Sequence, residues 1–199
     1  MTTEEVIEKL NRFDIILASR SPRRQHLLGE LGFNFRTVNH YDMEEVYPSV
    51  LRAEEIPLYL ARAKAACYDS LIDSNTILIT ADTIVWLNNE VIGKPLSLDN
   101  AVEMLQRLSG NMHEVFTGVC IRSFAGETLF HAASKVYFRK LTDEEIRYYV
   151  NRYQPLDKAG AYGVQEWIGY IGVERIEGSY FNVMGLPVQR LYSELIKFI

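Results

Sequence analysis

The chain has 199 residues, of which 48% are hydrophobic and 24% charged, with a formal net charge of −5. This is ordinary globular composition, enough for one substantial domain or two small lobes, and it excludes disorder as the default. The negative balance argues against a surface that follows a nucleic-acid backbone, so a phosphate-bearing partner is expected to be small.

The amino-terminal MTTEEVIEKLNRF is acidic and amphipathic rather than a basic segment followed by an apolar one. No run reaches membrane-spanning length, so the protein is expected to be cytoplasmic and soluble, with no membrane partner. Residues 13–18, FDIILA, form an apolar run of strand length. Ser21 then offers a cap and Pro22 a tolerated first helical position. Leu27, Leu28 and Leu31 recur at helical spacing, and Gly32 is the expected stop. Residues 33–38 alternate as a second strand, followed by the acidic loop YDMEEVYPS. Residues 56–71, rich in alanine and leucine, are expected to be a helix that carries Lys64.

The run TILITADTIVWL is too apolar for anything but a buried strand, and Asn88 with Asn89 makes a two-residue hairpin turn into EVIGKP. Residues 101–108 read as a helix after the SLDN stretch. Residues 115–124 and 129–141 read as strands of a second hairpin around the AGE turn. TDEE is a capping box opening a helix to about Tyr153. A long glycine-rich passage follows, and Pro187 starts a final amphipathic helix whose Leu191, Leu195 and Phe198 serve either the core or a partner. The two cysteines, Cys67 and Cys120, stand in apolar contexts away from zinc-type spacing and are expected to be reduced core residues. Strands and helices interleave, yet two hairpins interrupt them, which predicts an α/β fold with a mixed twisted sheet and flanking helices.

Three groups of residues suggest chemistry. Arg23 and Arg24 stand in the first turn of a helix, where each exposed cation costs roughly 0.3–1 kcal/mol against the helix dipole. A bound anion would reverse that sign, whereas arginines turned to solvent or to acidic neighbours would make the position neutral. Asp82 lies inside an apolar strand. Its carboxylate is either a general base or metal ligand, or a structural aspartate satisfied by backbone donors. Lys64, Lys94 and Lys158 stand beside small residues that permit close approach of backbone or substrate, although a solvated side chain is the ordinary fate of any one of them. Together with the arginines and Asp82 they fit polyphosphate chemistry, which needs fixed cations and a carboxylate-bound metal; Glu44 and Glu45 are available as a second ligand. The chain carries no GxxxxGK[ST], GxGxxG, HExxH or GxSxG, which excludes the common kinase, dinucleotide, zinc-protease and serine-hydrolase motifs.

In order and spacing, LASRSPRR, EIPLYLARAKA, TADTIV, IGKP, LSGNMHEVFTGV, DKAGAYGVQ and GSYFNVMGLP resemble the Maf family of nucleoside triphosphate pyrophosphatases, from about Ile15 to the C-terminus. The resemblance implies one continuous domain over residues 1–199 with two lobes around a central cleft. It implies hydrolysis of a nucleoside triphosphate to monophosphate and pyrophosphate with a divalent metal, Mg²⁺ or Mn²⁺. Asp82 matches the family's general base and shares the metal with Glu45. Ser19, Ser21 and Arg24 match its phosphate-binding loop, and Lys64 and Lys94 its phosphate-facing lysines, while Lys158 falls in the same substrate-binding set. Arg23, Thr83 and Gln165 match positions linked to base choice. DKAGAYGVQ with ADT is similar to the branch acting on dTTP and UTP. The loop reads MEEV where relatives carry an aspartate–glutamate pair, so Glu44 and Asp42 stand as alternatives to Glu45. Family members commonly pair, which implies a homodimer. The other reading is a nucleotide-binding regulator of cell division without turnover, but such a sensor has no need of Asp82.

Overall fold

The computed structural model describes residues 1–38 and 45–199. The chain forms two compact units. The first comprises Met1–Asp82, Thr117–Ala132 and Gly185–Ile199, and the second Thr83–Phe116 and Ala133–Met184.

Helix α1 (Thr3–Leu10) opens the chain on a capping box, with Thr2 and Glu5 bonding each other's backbone amides, and buries Val6 and Leu10. Strand β1 (Asp14–Leu17) and helix α2 (Pro22–Gly29) follow, the helix capped by Ser21 as expected. The helix ends before the expected stop, and Gly32 instead takes a left-handed turn conformation at φ 84° beyond it. The second strand is shorter than expected: β2 is only Arg36–Thr37, an exposed two-residue edge pairing parallel with β1. Helix α3 (Glu55–Ala66) stops short of residue 71. Its last amides shift to three-residue bonds at Cys67 and Tyr68, and Tyr68 leaves helical geometry to bury its ring before a short 3₁₀ turn, Asp69–Leu71.

Strand β3 (Thr76–Leu87) occupies the expected run and pairs parallel with β1, Asp14 opposite Thr76. Asn88 and Asn89 both adopt positive φ, the conformation of a type I′ turn, and lead into antiparallel β4 (Glu90–Ile92). Helix α4 (Leu98–Leu108) begins one turn before the expected residue 101 because Ser97 accepts the amide of Asn100. Strands β5 (Met112–Ser123) and β6 (Gly126–Phe138) turn at residues 124 and 125, so both sit earlier in the chain than expected. Helix α5 (Asp143–Tyr153) has the expected capping box. The glycine-rich passage holds elements that its composition conceals: α6 (Trp167–Gly172), β7 (Val173–Glu177) antiparallel to β6, and α7 (Tyr180–Val183). Helix α8 (Val188–Leu195) buries Leu191 and Leu195, so these two serve the core.

Among the described residues the seven strands form one mixed sheet in the order β2-β1-β3-β5-β6-β7, with β4 on β3. In the second unit Val85, Leu105, Val136, Phe138, Tyr149 and Ile168 are part of one buried cluster. In the first, Ile16, Ala61, Ala65, Leu78 and Cys120 form another, against which Cys67 packs, and neither cysteine is in a disulfide. Among the described residues no helix is long and apolar enough to cross a membrane.

Candidate active site

Asp82 is the last residue of the first unit, on β3, and only 6% exposed. The compensation that its burial demands comes from α3. Thr80, on the same face of β3, donates its buried hydroxyl to the carbonyl of Ala61 at 2.7 Å. Residues 61 and 64 share a helix face, so that bond sets the register that brings Lys64 beside Asp82. Lys64 Nζ lies 2.5 Å from Asp82 Oδ1 and 2.8 Å from Glu45 Oε1. Two carboxylates thus converge on one ammonium, and Asp82 is balanced by a cation.

The loop before α2 is folded on itself. Ser19 Oγ accepts the amide of Ser21 at 3.2 Å, Ser21 Oγ accepts that of Arg24 at 3.4 Å, and Gln25 donates to the carbonyl of Ser19 at 3.0 Å. Hydroxyls that accept backbone amides keep their own protons for an anion. Arg24 also reaches the backbone: its Nε donates to the carbonyl of Gly185 and its Nη1 to that of Ala81, both at 2.8 Å. Burial draws its ionisation below the usual arginine value, the charge of Asp82 works against that, and Arg23 adds to it. The group stays a cation, and it ties the backbone next to Asp82 to residue 185. Within the first unit, therefore, Ser19, Ser21, Arg24, Glu45, Lys64 and Asp82 form one constellation. Arg23, half-buried, adjoins it in the chain. The alternatives Glu44 and Asp42 lie outside the described residues.

The remaining candidates belong to the second unit. Thr83 is half-buried on β3, and Lys94 is exposed between Gly93 and Pro95 beyond β4. Lys158 is not a free cation: it is 8% exposed and pairs with Asp157 at 2.7 Å and Glu166 at 3.2 Å. Gln165 is half-buried in the turn just before α6. Sequence reasoning passed over Glu166, which also accepts the hydroxyl of Tyr149. The motif DKAGAYGVQ ends one residue before it.

A divalent metal fits the first unit's donors. Glu45 and Asp82 already share a point of positive charge, and no group of three or more His, Cys, Asp and Glu that could hold a metal occurs among the described residues. One or two carboxylates completed by water and phosphate oxygens is the donor set that Mg²⁺ favours over an all-protein cage.

A model of the family described as Maf-like protein matches residues 14–198. The dTTP/UTP pyrophosphatase of Phocaeicola vulgatus is 54% identical over 192 residues, covering 96% of this chain and 100% of that protein. The dTTP/UTP pyrophosphatase of Bacteroides thetaiotaomicron matches equally, at 54% over the same shares. That of Flavobacterium johnsoniae is 46% identical, covering 96% of this chain and 98% of that one. Among solved structures the likeness is slight, with a HAM1 protein from Coxiella burnetii giving a TM-score of 0.41 at 13% identity over 63% of this chain and 73% of that one.

Proposed function

The chain belongs to the Maf-like protein family, and on that premise we propose that it hydrolyses dTTP and UTP to the monophosphate and pyrophosphate. What carries the reading is likeness along nearly the whole chain to proteins of that activity, 54% identical over 96% of its length. The residue chemistry supports it.

The triphosphate docks on the loop before α2, where the Ser19 and Ser21 hydroxyls, each accepting a backbone amide, offer their protons to phosphate oxygens. Arg24 holds that loop to the backbone at Ala81 and adds counter-charge. Lys64 balances charge beside Asp82, and Lys94 adds a second lysine on the family likeness. Asp82 takes a proton from water as its oxygen attacks the α-phosphorus; the α–β bridging bond breaks and pyrophosphate leaves with the electron pair. Glu45 and Asp82 would hold a divalent cation, Mg²⁺ or Mn²⁺, which when bound supplies Lewis-acid neutralisation of the phosphate oxygens. Arg23, Thr83 and Gln165 are assigned to the base, on the family likeness. Lys158, which pairs with Glu166, is assigned to substrate binding on the family likeness.

The test is pyrophosphate release from dTTP, UTP, CTP, GTP and ATP, with and without Mg²⁺, for the native protein and for Asp82→Asn. Selective, metal-dependent turnover of dTTP and UTP is expected, falling by roughly 10²–10⁴-fold in the variant. Run in ¹⁸O water, the reaction is expected to label the monophosphate; label in pyrophosphate would move the attack to the β-phosphorus. Tight binding without turnover would favour the nucleotide-binding regulator.

A further inference from the structure

The second unit contains a polar clamp, Tyr149 with Glu166, that takes no part in the chemical step. Tyr149, fully buried on α5, donates its hydroxyl to the carboxylate of Glu166 and accepts the amide of Gly163 at 3.1 Å. Glu166 closes the loop on itself, its own amide bonding the carbonyl of Gly163 at 2.9 Å, and its other oxygen reaches Lys158. Residues 163–166 are thus a turn with both ends fixed by one phenol and one carboxylate. The fit leaves no slack. A Cβ on Gly163 would lie 2.8 Å from Glu166 Cδ, and one on Gly169 would lie 1.9 Å from the carbonyl oxygen of Val164, because α6 sits directly on the turn. Burial and the neighbouring carboxylate push the Tyr149 ionisation well above the usual phenol value, so the donated proton stays in place.

We propose that Tyr149 and Glu166 are positioning residues for base selection, holding the turn that carries Gln165 so that its carboxamide meets the nucleobase in one orientation. Packing alone does not ask for this arrangement, since apolar side chains of similar volume hold a turn as stably as a buried lysine–glutamate–tyrosine set. Directional bonds fix where the turn's backbone lies. The central residues are Val164 and Gln165; the clamp engages positions 163 and 166 on either side and makes no use of the Gln165 side chain. A glutamine presents a donor and an acceptor on one end, so it discriminates between bases only when its backbone is held. The proposal rests on the assignment of Gln165 to the base.

Tyr149→Phe removes the hydroxyl and keeps the ring that stacks on Tyr153. It is expected to raise KM for dTTP and UTP about tenfold, and to lower their preference over CTP as much, with kcat changed by no more than about twofold. In a Gln165→Ala background the same change is expected to add less than about twofold, because the side chain it positions is gone. Glu166→Gln, which keeps an acceptor for Tyr149, is expected to lose less selectivity than Glu166→Ala, and it serves as the test if Tyr149→Phe does not fold. A Tyr149→Phe protein that slows all nucleotides alike, or that loses as much selectivity in the Gln165→Ala background, would overturn the proposal. Native protein with no preference for dTTP and UTP would overturn the functional assignment and this proposal with it. Native preference that survives in Tyr149→Phe and in Glu166→Ala would overturn this proposal alone.

Discussion

Lys64 occupies the place of a cation between Asp82 and Glu45, with its ammonium within hydrogen-bond distance of both. A divalent metal seeking the same oxygens must share them with a fixed positive charge. Lys64→Gln is therefore expected to bind Mn²⁺ about tenfold more tightly, as read by titrating free Mn²⁺ with electron paramagnetic resonance, while losing turnover. Unchanged or weaker Mn²⁺ binding would show that the lysine and the metal do not compete for those carboxylates. Arg24 makes a second prediction at this scale. Its fork reaches two carbonyls, Ala81 and Gly185, which a single lysine ammonium does not span in the same geometry. If its main work is to hold the backbone beside Asp82, Arg24→Lys is expected to lower kcat by about 10–100-fold with little change in KM. A rise in KM at constant kcat would make it a phosphate ligand.

Between elements, the site depends on the register of α3 on β3. The bond from Thr80 to the Ala61 carbonyl is fully buried, and the nearly isosteric Thr80→Val leaves that carbonyl short of a partner. The expected cost is about 1–2 kcal/mol, a fall in melting temperature of roughly 2–8 °C, measured by calorimetry. Turnover should fall further than stability alone explains, because the same bond sets where Lys64 stands. Much of this level is written locally in the chain. The apolar blocks of TILITADTIVWL suffice to foresee β3, paired asparagines its turn, and TDEE the start of α5. What local patterns miss is set by distant partners. Strand β7 reads VERIE and buries none of its residues fully, so only its pairing with β6 reveals it.

Across the whole molecule the same division separates the residues of the site. A carboxylate inside an apolar strand and a lysine inside an alanine-rich helix are anomalies visible in one dimension, which is why Asp82 and Lys64 stand out in the sequence. The carbonyls held by Arg24 are 57 and 161 residues away, and no local pattern announces them. His113 is another such case, an ordinary histidine in a strand until the fold buries it to 1% exposure. Its Nε2 meets the hydroxyl of Tyr162 at 2.7 Å, its ring lies edge-on to Phe138, and its Nδ1 has no hydrogen-bond partner among the described residues. Burial lowers its ionisation from 6.5 to about 4. The unfolded chain therefore takes up a proton first, so stability is full above pH 6.5 and is lost as pH falls towards 4, by about 3 kcal/mol for this group. Glu145 acts in a lower window. The Arg139 guanidinium and the Thr142 amide hold it near 2 against an ordinary 4.5, so its contribution is present above pH 4.5 and lost below. Denaturant melts of the native protein should thus lose stability in two stages, the upper one between pH 6.5 and 4. His113→Gln, neutral throughout and still able to bond Tyr162, is expected to flatten that upper stage and leave the lower one intact. A variant whose stability falls as steeply as native over the upper range would place the proton uptake on another group.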